Sequence, residues 1–341
     1  MMEQISPKER LFRVLAKKST DRQPVICPGG MMNAAVVEIM ESTGHALPAA
    51  HSNEKLMLDL AKDVHEQTGF ENFGIPFCMT VEPEVMGSEI DLGTLDCEPK
   101  IAREAFGSVA TVEYRDVAQM LQQGRISALV QTAYNLHKAN GDVPVIGSLT
   151  GPVSTAAALV DPMIFLKELR KDKENAHRVL EYVTDFLIEY AKLLLDNGAD
   201  LISIADPTAT GEILGPKMFE EYAVPYLNRL VAEIQGLNKK ALLHICGNLK
   251  TVWQQIAALR ADAISTDAMV SLKKLKADFP GIVTMGNLST YLLESGDPDE
   301  IAKKTEKLLL DKVDIIAPAC GLSTSSALRN LQTFTKVVKA Q

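Results

Sequence analysis

The hydrophobic and polar positions of the chain change period in a repeating way. Short apolar runs of strand length alternate with longer stretches in which apolar residues recur every three or four positions. The first run is Pro24-Val25-Ile26-Cys27, stopped by Pro28-Gly29-Gly30, a loop where backbone can approach a ligand closely. Phe73–Pro76, Pro144–Gly147, Leu201–Ile204, Ala241–Ile245, Ala263–Ser265, Ile282–Met285 and Asp314–Ala317 follow, which makes eight predicted strands. Helical spacing covers residues 33–42, 53–68, 125–138, 172–196, 219–233, 249–259, 272–278 and 325–338, with further helices after Gly151-Pro152 and after Asp297. The boundaries carry their own chemistry. Ser6-Pro7-Lys8-Glu9 places Ser at the N-cap, Pro at the first helical position and Glu at the third, opening an N-terminal helical extension. Asp297-Pro298-Asp299-Glu300 repeats the device, and Asn197-Gly198 is a helix stop. Val81 to Tyr114 breaks the rhythm with Gly- and Pro-punctuated β-like pieces, which predicts a small β-hairpin insertion after strand two.

Strands each followed by helices predict an α/β fold, specifically a (β/α)8 TIM barrel rather than an open sheet. Nothing resembling a linker or an internal repeat divides the 341 residues, so residues 1–341 are expected to form one domain. With 46% hydrophobic and 23% charged residues the chain can fill a large core. A net charge of −9 argues against broad nucleic-acid or anionic-membrane surfaces, which need clustered Lys and Arg. Neither an export signal nor a run approaching about eighteen apolar residues is present, so a cytoplasmic protein acting on small molecules or a protein partner is expected.

Five widely spaced cysteines are no disulfide framework; reduced thiols or thiolate ligands fit better. His244-Ile245-Cys246 ends a predicted strand, and residues two apart on a strand face the same side, so both can address one ion. Cys320, just past the last strand, supplies a third soft ligand at the same end. Three N/S ligands with no fourth His or Cys nearby match an open, catalytic zinc, and a thiol taken into the free position would ionise at neutral pH. The same residues also read as a core histidine, a small buried cysteine and an incidental thiol. Asp206, Asp267 and Asn287 fall at strand ends too; the acids are proton carriers, a fourth ligand or partners for loop amides. Met31-Met32 reads either as lining for an apolar cofactor pocket or as plain packing.

Lys8-Glu9-Arg10-Leu11, Asp21-Arg22-Gln23-Pro24-Val25, Gly151-Pro152, Ala205-Asp206-Pro207, Phe219–Tyr226, His244–Asn248 and Gly286-Asn287-Leu288 together resemble the uroporphyrinogen decarboxylase superfamily over nearly the whole chain. Within it, His244, Cys246 and Cys320, with Phe77–Glu82 and Cys320-Gly321, look most like the methylcobamide:coenzyme M methyltransferase branch. That resemblance implies a zinc-dependent methyl transfer from a methylated corrinoid, on a separate corrinoid protein, to a small-molecule thiol. It also implies that an acidic residue, here Asp267, can occupy the zinc's open position; on that reading Asp206 and Asn287 hold the corrinoid or the acceptor at the barrel mouth, and Met31 is the residue expected to line the cofactor pocket. Two alternatives stand beside it: a tetrapyrrole decarboxylase, and a non-catalytic corrinoid-binding protein with a structural zinc. The decarboxylase branch holds its octacarboxylate substrate with an Arg-rich stretch after strand one, whereas residues 24–53 contain neither Lys nor Arg. Unpaired carboxylates buried there would each cost several kcal/mol.

Overall fold

The computed structural model describes residues 5–341. Its strands, in chain order, are β1 (Phe73–Ile75), β2 (Glu89–Asp91), β3 (Lys100–Arg103), β4 (Val145–Thr150), β5 (Leu201–Ala205), β6 (Lys240–Ile245), β7 (Ala263–Thr266), β8 (Thr284–Leu288) and β9 (Ile315–Pro318). Seven of them form one parallel sheet in the order β1-β4-β5-β6-β7-β8-β9, with helices between successive strands. Parallel strands covered on both faces need apolar residues at nearly every position, and β4, β5, β7, β8 and β9 are buried throughout. The architecture is an α/β fold of TIM-like type.

The eighth expected strand is reduced. Residues 24–27 make one parallel bridge, Val25 to Ile316, with Ile26 N donating to Ile316 O at 3.0 Å. Prolines on both sides limit the donors this segment can offer, and on its other side a side chain replaces backbone. Cys27 N donates to Asn72 Oδ1 at 2.8 Å, and Asn72 Nδ2 returns to Cys27 O at 2.8 Å. The segment still reaches both edges of the sheet, because Glu71 N donates to Val25 O at 2.8 Å just ahead of β1. The loop after it differs from expectation as well. A Cβ on Gly29 (φ +102°) would lie 2.7 Å from the Gly74 carbonyl carbon, so this glycine admits neighbouring backbone rather than a ligand.

Two further differences lie outside the sheet. The helix expected over residues 33–42 is Val37–Thr43, because Asn33 turns its amide to Gly30 O and Phe77 O and accepts from Ala35 N. Within the irregular segment, Val81–Met86 is helical rather than β-like, and only β2 and β3 pair, antiparallel.

At the end of the sheet where strands begin, one arrangement recurs. Asp200, Asp262, Asp314 and Glu71 stand just before β5, β7, β9 and β1. Each carboxylate accepts from an N–H at the start of the adjacent segment: Val145 (2.9 Å), Ala241 (2.9 Å), Thr284 (2.9 Å) and Val25 (3.0 Å). Each also meets a cation, respectively Lys8 (2.5 Å), Lys240 (2.7 Å), Lys276 (2.5 Å), and for Glu71 both Arg10 (2.7 Å) and Arg22 (2.6 Å).

Candidate metal centre

The opposite end of the sheet gathers the reactive side chains. His244 lies near the end of β6, buried at 1% exposure, and Cys246 follows one residue past the strand. Alternation along β6 carries both to one side, and His244 Nε2 lies 3.1 Å from Cys246 Sγ. Cys320 arrives from the loop after β9, where Ala319 N donates to Leu288 O at 2.8 Å. Its Sγ is 3.6 Å from that of Cys246, and the three ligand atoms all lie within 4.8 Å of one another. Two thiolates about 2.3 Å from one tetrahedral zinc would sit about 3.8 Å apart, so the donor set fits that ion closely. The other ring nitrogen of the histidine fixes its role. Register pairs His244 with Ser265 on β7, and His244 Nδ1 meets Ser265 Oγ at 2.9 Å, leaving Nε2 for the metal side.

The two thiols are in hydrogen-bonding contact with each other. Cys320 is held down to about 4 by its hydrogen bond with Cys246, against burial and with help from His244. Cys246 is pushed up by the same bond, then by burial, and then by the charges of Cys320, Asp267 and Asp206. A cation between them would reverse the penalty on the second thiol.

The other expected site residues take distinct places. Asp206, fully buried, accepts from Val153 N (3.0 Å), Ser154 N (2.8 Å) and Ser154 Oγ (2.6 Å), anchoring the first turn of the helix Pro152–Leu159. Burial raises its carboxyl and those bonds oppose the rise. Asp267 starts the loop after β7, half-buried, and accepts from Met269 N at 3.3 Å. Asn287 holds that loop in place, donating to Asp267 O and Val270 O at 2.8 Å each. Met31 packs on the Cys320 loop: its carbonyl oxygen is 2.9 Å from where a Gly321 Cβ would stand.

Three residues here escaped the sequence reading. Ser265 could not be tied to His244 without the register. Glu98, between β2 and β3, is raised by desolvation and then by the charge of Cys320. It is nonetheless solvent-exposed. Glu212 accepts from Asn248 N at 3.3 Å, and its Oε2 lies 2.5 Å from where a Gly247 Cβ would be, beside Cys246. Gly247 (φ +73°) therefore carries both the turn and the close approach. A cavity of about 770 Å³ between the helices Leu272–Asp278 and Pro298–Leu310 touches this rim at Met269 and Asn287, but it contains none of the three ligands.

The family model for uroporphyrinogen decarboxylase (URO-D) matches residues 6–341. The chain belongs to that family. Its members divide by chemistry, and this one is 32% identical over 340 residues to a methylcobamide:CoM methyltransferase of Methanosarcina acetivorans, covering 99% of both chains. A uroporphyrinogen decarboxylase of Myxococcus xanthus is 30% identical over 301 residues, covering 82% of this chain and 80% of the relative. Among solved structures, a methyltransferase from Methanosarcina mazei superposes with a TM-score of 0.92 at 29% identity over 99% of both chains. Among the described residues no helix is long and apolar enough to cross a membrane.

Proposed function

We propose that this chain is an enzyme that transfers a methyl group from a methylated corrinoid, carried on a separate corrinoid protein, to a thiol. The observation that carries the reading is the His244–Cys246–Cys320 cluster, open on one side, in a chain similar over its whole length to methylcobamide:CoM methyltransferases. A zinc ion held there supplies the Lewis acidity that keeps an acceptor thiol ionised at neutral pH. The acceptor sulfur held there would take the methyl group from the donor's cobalt, the Co–C electron pair staying with the corrinoid, while the thiol proton would leave to solvent. His244, Cys246 and Cys320 fix where the sulfur waits. Asp267, whose charge reaches Cys246, would take the zinc's open position before the thiol arrives, and Asn287 would set its loop. Met31 offers apolar surface for the corrinoid, and Asp206 anchors the helix Pro152–Leu159 while adding charge behind Cys246. In this reading residues 24–27 act as the eighth stave of a (β/α)8 barrel, and residues 1–341 form one cytoplasmic domain.

Tetrapyrrole decarboxylation is disfavoured, since the loop at residues 28–36 offers no cation for carboxylates. The deciding experiment is metal analysis of the wild type and of Cys320→Ser, followed by methylcobalamin demethylation with added thiols. About one zinc per wild-type chain, with zinc and activity both falling by more than about a hundredfold in the variant, is expected. A zinc-replete wild type inert with every thiol, or activity that survives chelation, sinks the proposal.

A further inference from the structure

The loops that lead from the sheet towards the metal centre carry no cation of their own, and the buried guanidinium that reaches one of them, Arg125 at Cys78 (3.3 Å) and Thr80 (3.0 Å), is already paired with Glu84 at 2.6 Å. Residues 28–36, 76–80, 206–214, 246–248, 267–271 and 319–327 contain no Lys or Arg, but they do contain Asp206, Glu212 and Asp267. Glu212 is locked beside Gly247 by Asn248 N, one residue from Cys246. A further carboxylate comes from the far side. Thr324 Oγ1 donates to Asp96 O at 2.9 Å, pinning the β2–β3 loop, and with it Glu98, to the loop that carries Cys320. The first cation after β6 is Lys250, and the first after β7 is Lys273, which points away to Asp311 at 3.5 Å; both are exposed.

Two thiolates neutralise a zinc ion, so the metal leaves no surplus positive charge to attract the tail of an acceptor. The carboxylates around it set the field instead. Coenzyme M, the acceptor in the names of the relatives, is 2-mercaptoethanesulfonate, an anion two carbons from its sulfur. Such a tail would sit among like charges here.

We infer that this enzyme's acceptor is a thiol whose tail is neutral or cationic, and that Glu98 and Glu212 exclude anionic tails. The inference rests on the thiol-binding role proposed above for the His244–Cys246–Cys320 centre. It names the class of acceptor and departs from the relatives on that point alone.

The test uses the full-length protein loaded with Co(II) in place of zinc, because a thiolate joining that metal gives a charge-transfer absorption without any methyl transfer. Titration with 2-mercaptoethylamine, 2-mercaptoethanol and 2-mercaptoethanesulfonate gives three dissociation constants. The amine is expected to bind at least about tenfold more tightly than the sulfonate at low salt, with the gap narrowing as salt is added. Thiol acidity differs among the three, so the decisive quantity is the sulfonate-to-neutral ratio. Glu98→Gln and Glu212→Gln should each improve it about twofold to threefold, the size expected for removing one like charge that water screens. An unchanged Co(II) spectrum before thiol is added shows that each variant is folded and metallated.

Tighter binding of the sulfonate, or a ratio that neither variant moves, overturns the inference. So does a selective loss of sulfonate binding in Lys250→Ala, which would show that this lysine holds an anionic tail. If the order amine, alcohol, sulfonate holds in binding while no thiol demethylates methylcobalamin, the charge preference stands and the methyl-transfer reading falls.

Discussion

The two ends of the sheet use the same residue types in opposite ways. At the end where strands begin, each acid is paired: Asp200, Asp262, Asp314 and Glu71 take both a strand N–H and a Lys or Arg. At the end where strands finish, Asp206, Asp267 and Glu212 accept hydrogen bonds from backbone or hydroxyl groups but meet no Lys or Arg, around two thiols in contact with each other. A charge that is neutralised and hydrogen-bonded ties adjacent strands together; one left uncompensated stores potential that a cation or substrate can use. In barrels of this kind the first end is built for stability and the second for chemistry.

The sharpest way to break the contrast is at Glu71. It is 3% exposed, receives Arg10 and Arg22, and holds the reduced strand at Val25. Removing one partner from such a buried pair costs roughly 3–5 kcal/mol. Glu71→Ala should therefore lower unfolding free energy by about that much in urea, with metal affinity per folded molecule intact. Loss of metal binding in the folded fraction would show that the two ends are not separable.

Much of this division was legible beforehand, and the exceptions have physical reasons. His-x-Cys on a strand is readable because alternation is local, and Cys320 is readable because strand ends share a face. Ser265 was hidden because strand register is not written in spacing. Glu98 was hidden because the β2–β3 loop folds back over a distant part of the chain. Residues 24–27 look like a strand, yet they are bounded by prolines, and Asn72 takes over one side of the ladder. The acids of the paired end did carry a signal, since Asp200-Leu201-Ile202, Asp262-Ala263-Ile264 and Asp314-Ile315-Ile316 each put an Asp before an apolar run.

Acid should act through a third region before it reaches either end. His51 is 2% exposed with both ring nitrogens unpartnered, and burial, then the charge of Arg125, pushes it down to about 4. It is neutral when folded and takes a proton below its ordinary 6.5 when unfolded. Its contribution is thus complete above pH 6.5 and is lost as pH falls towards 4, by about 3 kcal/mol at most. Asp21, held far below the ordinary carboxylate range chiefly by its hydrogen bond from Arg10, follows in a lower window. Its share is present above about pH 3.9 and fades only below it. Unfolding free energies at pH 7 and pH 5 should therefore differ in the wild type and converge in His51→Phe; an equal slope in both would assign the loss elsewhere.

The smallest of these effects discriminates most finely, because it removes a hydrogen bond from the reactive end while leaving every ligand in place. Ser265 Oγ meets His244 Nδ1 at 2.9 Å and is 1% exposed, so nothing in solvent can replace it freely. An outer partner of this kind orients the ring and selects the tautomer that frees Nε2, and losing one typically costs 10–100-fold in metal affinity. Ser265→Ala should lower zinc affinity within that range, measured by competition with a chromophoric chelator. Stability of the metal-free protein should fall by about 1–3 kcal/mol, since the exchange leaves one buried ring nitrogen short of a partner. Ser265→Thr, which keeps the hydroxyl, should restore most of the affinity if the added methyl is accommodated. If alanine leaves zinc affinity untouched, the ring is held by β6 packing alone, and the reactive end is as rigidly built as the paired one.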